Sequence, residues 1–98
     1  MLSSLAKLSN QVEEEISRFD ERWHAEVVRL RPDQLRLAFE ERDRIEVKYA
    51  AWRRAYNAEV KLILERGYRN ASRAPETRAA FDEVMAALRD YLARGAEA

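Results

Sequence analysis

Ninety-eight residues give room for one domain with a modest core. Eighteen basic and eighteen acidic side chains cancel, so no field of one sign calls for nucleic acid or an acidic membrane. No cysteine means no disulfide or thiol chemistry, and two glycines with two prolines leave few turns, a composition of long helices or coiled coils.

The opening, MLSSLAKLSNQVEEE, has apolar residues at helical spacing but lacks the continuous apolar block of a secretory signal. No apolar run approaches the roughly 18 residues of a membrane span. The expected location is the cytoplasm, with no membrane partner.

Leu5, Leu8, Val12, Ile16, Phe19, Trp23, Val27 and Leu30 recur every three or four residues and predict a first helix over about 4–30. Two starts compete. Ser3 or Ser4 can cap it, or Asn10 with Glu13 three residues later can form a capping box, which leaves residues 1–9 as a loosely held arm. Pro32 breaks the pattern, because proline lacks a backbone donor and pushes its predecessor out of the helical region. It suits the first turn of a new helix, followed by Asp33 at the positive end. The break is short, so the two helices are expected as antiparallel neighbours or to meet at a sharp corner.

The second helix is predicted over about 33–66, a stretch free of glycine and proline. Ile45, Tyr49, Trp52, Tyr56, Val60 and Ile63 form one stripe, and Val47, Ala51, Ala55, Ala58 and Leu62 form a second beside it. A helix apolar on more than one face is expected to be covered from two sides. Arg42 falls on the first stripe and is expected to snorkel or to pair with a carboxylate. Gly67 is placed to end this helix at positive φ. Pro75 and Glu76 mark the first turn of a third helix over about 75–94, with Phe81, Val84, Met85, Leu88, Tyr91 and Leu92 inward and Gly95 as its stop.

The predicted fold is therefore all-α: an elongated antiparallel three-helix bundle of two long helices and a shorter third. The short helix is expected to cover only the N-terminal half of the first, leaving the Pro32 end without a third layer. That end carries Phe19, Trp23, Val27, Leu35, Leu37 and Phe39. Apolar surface of that kind marks an interface, so the bundle is expected to be completed by dimerisation or by another protein.

No catalytic constellation is legible. The acidic runs Glu13–Glu15 and Glu40–Glu41 read as solvated helix faces laced by i,i+4 ion pairs. Glu21 and His24 have the Glu-x-x-His spacing of helical di-metal sites, but Glu21 lies off the apolar stripe and no second such motif exists. The aromatics Tyr49, Trp52 and Tyr56 read as core or interface and imply no cofactor. The expected function is that of a non-enzymatic interaction protein: an adaptor, chaperone, inhibitor or assembly factor presenting an apolar helical face. The alternative is a small nucleic-acid-binding helical protein that grips phosphates with Arg66, Arg69, Arg73 and Arg78 around the second turn.

Overall fold

The structure, a computed structural model, describes residues 2–67 and 74–96. The described residues form three helices: α1 (Leu2–Val27), α2 (Pro32–Arg66) and α3 (Ala74–Ala96). They pack as an up-down-up bundle about 52 × 21 × 16 Å in extent, with α3 seated most closely along α2 and also against α1.

α1 begins at Leu2, and Leu5 is buried. Asn10 is therefore mid-helix, and of the two expected starts the structure agrees more closely with the one at Ser3 or Ser4: residues 2–9 are helical, and Leu5 and Leu8 continue the Val12 stripe onto the core. α1 stops at Val27, three residues short of the predicted end. The backbone then tightens through bonds from Arg29 N–H to Glu26 O at 3.0 Å and Leu30 N–H to Val27 O at 3.2 Å. The turn closes an antiparallel hairpin.

Extended backbone at Arg31 (φ −77°, ψ 159°) precedes Pro32 and starts α2. The Gln34 side chain accepts the Arg31 N–H at 3.0 Å. This is the returning half of a capping box; a guanidinium has no acceptor with which to supply the other half.

α2 ends at Gly67, whose φ of +80° and ψ of 174° lie in a region open to glycine alone, and whose N–H reaches Ile63 O at 2.9 Å. A Cβ there would meet nothing within 4 Å, so any penalty is purely one of backbone strain. Gly67→Ala is expected to lower the unfolding free energy by about 1–2 kcal/mol, read from the urea midpoint at unchanged slope. At the far end of the chain, Gly95 does not stop α3, which continues to Ala96.

The core runs the length of the bundle. Val12, Phe19 and Trp23 come from α1, Ile45 and Trp52 from α2, and Phe81, Val84, Met85, Leu88 and Tyr91 from α3. On α2 the most buried line is Ile45, Trp52, Glu59 and Ile63, while Tyr49, Tyr56 and Val60 are half-buried. The second stripe divides: Ala51, Ala55, Ala58 and Leu62 are half-buried, and Val47 is exposed.

Candidate interaction surface

Three interhelical contacts fix the register of α1 on α2. Tyr49 Oη donates to Glu13 Oε1 at 2.7 Å, Arg42 reaches Asp20 at 3.5 Å, and Trp23 Nε1 donates to Ala38 O at 3.0 Å. Burial, and then the hydrogen bond to Glu13, raise the Tyr49 pKa. α3 is fixed on α2 by Phe81 against Trp52 (ring centroids 5.7 Å apart) and by Arg94 to Glu41 at 2.6 Å. This register carries α3 farther toward the Pro32 end than its length alone suggested. Tyr91 stacks edge-on against Phe19 at 4.8 Å and donates to Glu26 Oε2 at 2.7 Å, and Arg22 donates to Leu92 O at 2.6 Å.

The six residues expected at a partner interface consequently separate. Phe19 and Trp23 are only 3% and 4% exposed within the single chain. They belong to its own core, and the expectation that they stand at the surface is corrected. Val27 is half-buried against the same core, and Leu35 is half-buried at the start of α2. Leu37 and Phe39 are the residues left open, at 60% and 51%. They do not make one patch: two residues on a helix differ by about 200°, so they occupy opposite flanks of α2.

Phe39 is held in place. Its ring meets the edge of Trp23 at 5.0 Å, and the Arg42 guanidinium lies 4.5 Å from the Trp23 ring centroid. Arg42 is thus the arginine expected to snorkel or pair, and it does both: it stacks on the indole and bonds Glu46 at 2.9 Å. Leu35 lies one turn before Phe39 on the same side of the helix. Arg36 and Asp43, three residues before and four after Phe39, fall on this side as well. Arg36 has a long 3.7 Å contact with Glu40. The other exposed large apolar residues, Val28, Val47 and Leu64, lie in the first turn, midway along α2 and near its end.

The arginines expected to bind anions are dispersed in role. Arg69 and Arg73 lie outside the described residues. Arg78 pairs with Asp82 at 3.3 Å and lies 5.2 Å over the Phe81 ring, and Arg66 is exposed at the end of α2. An open groove of about 310 Å³ between α2 and α3 is lined by Arg44, Lys48 and Arg94, but also by Glu41, which bonds Arg94 at 2.6 Å, and by Asp90, 3.9 Å from it.

His24 Nδ1 lies 2.8 Å from Asp20 O. A carbonyl only accepts, so Nδ1 carries the proton and the ring ties back to its own helix. Among the described residues no three His, Cys, Asp or Glu side chains gather to hold a metal ion, and no helix is long and apolar enough to cross a membrane.

Sequence reasoning missed Glu59, which is 2% exposed, on the core line of α2 with Oε2 unpartnered. The signal was its spacing, seven residues beyond Trp52 and fourteen beyond Ile45, which marks the centre of the buried line. No protein-family model, no curated protein and no solved structure matches the chain.

Proposed function

We propose that the chain is a non-enzymatic protein–protein interaction module that uses the Leu35–Phe39 flank of α2, and that a second copy of itself is the partner. The observation that carries this reading is Phe39, a half-exposed aromatic already seated on the buried Trp23. An anchor held in one conformation loses little entropy on docking, and aromatics of this kind dominate interface energetics.

Charge supports self-pairing. If two α2 helices cross antiparallel near Phe39, Arg36 of each copy meets Asp43 of the other, because the two residues stand on either side of the crossing point. The contact is self-complementary, as a two-fold axis requires. Arg36 is free to turn toward it, since its present contact with Glu40 is long and solvent-exposed. The nucleic-acid alternative draws less support, because Arg78 is occupied by Asp82 and Phe81.

Light scattering at increasing concentration tests the proposal. The wild type is expected to approach twice the chain mass, and Phe39→Ser to remain at one with unchanged helix content by circular dichroism. Charge reversal at Arg36 alone should weaken the dimer, and reversal of Asp43 in the same chain should restore it. A wild type that stays single at millimolar concentration overturns the proposal.

A further inference from the structure

The cations of α2 divide by partner. Arg36, Arg42, Arg53 and Lys61 each lie within 4.0 Å of a carboxylate, and Arg66 is engaged as well. Among the described residues, Arg44, Lys48 and Arg54 are the α2 cations without such a tie, and all three line grooves on one seam, where α3 lies along α2. Arg44 and Lys48 stand one turn apart, so they repel each other and neither is neutralised. They overlook the groove of about 310 Å³, whose floor is the buried Ile45 and the half-buried Ala87. Arg54 overlooks a second groove, of about 430 Å³, farther along the seam. Leu37, exposed at the Pro32 end, falls within about 20° of Arg44 and Lys48 on the same flank.

The facing rim, on α3, has the opposite sign. Glu76 lines the second groove and Asp90 the first, and Glu83 lies midway at seven-residue spacing, which keeps all three on one side of the helix. At the end of this rim Arg94 is held by Glu41 at 2.6 Å, with Asp90 3.9 Å away. The seam is thus a trough with an apolar floor, basic along α2 and acidic along α3. A phosphate backbone drawn to one rim is repelled by the other. A helix with one acidic and one basic edge satisfies both rims and can set an apolar side chain on Leu37.

We infer that this seam is a second docking surface, for an amphipathic helix of another protein that lays an acidic edge along Arg44, Lys48 and Arg54 and a basic edge along Glu83 and Asp90. From Leu37 to Arg54 the seam runs about 26 Å, so the incoming helix is about five turns long. It takes the fourth position of a helix bundle. Phe39 lies on the opposite flank of α2, so docking here and self-pairing there are independent.

Fluorescence anisotropy with a defined probe tests this. The probe is a labelled alanine-based helical peptide of about 18 residues, with glutamates along one edge, lysines along the other and leucines between. The wild type is expected to bind it with a Kd on the order of 10–100 μM. Arg44→Glu combined with Lys48→Glu is expected to weaken binding about tenfold, and to confer binding of a second peptide with lysines on both edges. Arg54→Glu serves if circular dichroism shows that the double variant has lost its helices. Leu37→Ser is expected to weaken binding about fivefold at unchanged oligomeric mass. Phe39→Ser is expected to leave peptide binding unchanged, so that failure of self-pairing and failure of this docking are read apart. No peptide binding by the wild type at roughly 500 μM, equal binding by the folded charge-reversed protein, or tighter capture of a single-stranded oligonucleotide than of the peptide overturns the inference.

Discussion

Trp23→Ala is expected to cost about 3–5 kcal/mol of folding stability, a large share of what a domain of this size possesses. The indole is almost wholly enclosed, donates to Ala38 O, supports Phe39 and lies under Arg42. Truncation removes the packing and leaves the cation without its ring. Thermal unfolding followed by circular dichroism should shift down by roughly 4–8 °C for each kcal/mol lost. Phe39→Ala, at a half-exposed site, should cost only about 1 kcal/mol. The contrast separates core from surface: a Trp23→Ala protein with wild-type melting would mean that the indole is not enclosed.

The second large effect is expected at Tyr91. Tyr91→Ala should cost about 3–4 kcal/mol, since the ring is buried between Phe19 and two guanidinium groups. Tyr91→Phe keeps the ring and loses the bond to Glu26, a loss of about 1 kcal/mol because water can replace the phenol at an exposed carboxylate. The two variants also differ in pH dependence. Burial first, then the hydrogen bond to Glu26, raises the Tyr91 pKa above its ordinary value of 10.0. The fold favours the protonated phenol, so this contribution is complete below pH 10 and is lost as pH rises through the raised folded value. Urea midpoints should therefore fall above pH 10 in the wild type and fall less steeply in Tyr91→Phe. Tyr49 behaves in the same sense through Glu13, so part of the alkaline loss should remain. Equal slopes for the two proteins would remove Tyr91 from the account.

The helices themselves were legible because their determinants are local. Pro32 and Gly67 act within one or two residues, and the stripes on α1 and α3 bury a single line each. What periodicity does not encode is how far one rod slides along another. The fate of Phe19 depended on that offset, while Trp23 is enclosed by Ala38, Phe39 and Arg42 of α2. The chain spacing of Phe19 is the same whether Tyr91 covers it or stops short, and the pairing of Trp52 with Phe81 and of Glu41 with Arg94 decides it. Glu59 was obscured for a different reason. A carboxylate inside an apolar run reads as an interruption, and the tyrosines at 49 and 56 drew the apparent centre of the stripe away from the line on which Glu59 lies. Of the expected interface, the part that survives as surface is the part whose exposure follows from α2 outrunning α3 at the Pro32 end, at Leu37 and Phe39.

The ties between α1 and α3 also bear on how the chain reaches this state. Tyr91 and Glu26 are separated by 65 positions, and Arg22 and Leu92 by 70. Each hairpin can nucleate from neighbours, but this seam closes only once nearly the whole polypeptide has been ordered, at the entropic expense of a long loop. The encounter of the outer two helices is therefore the step expected to set the folding rate.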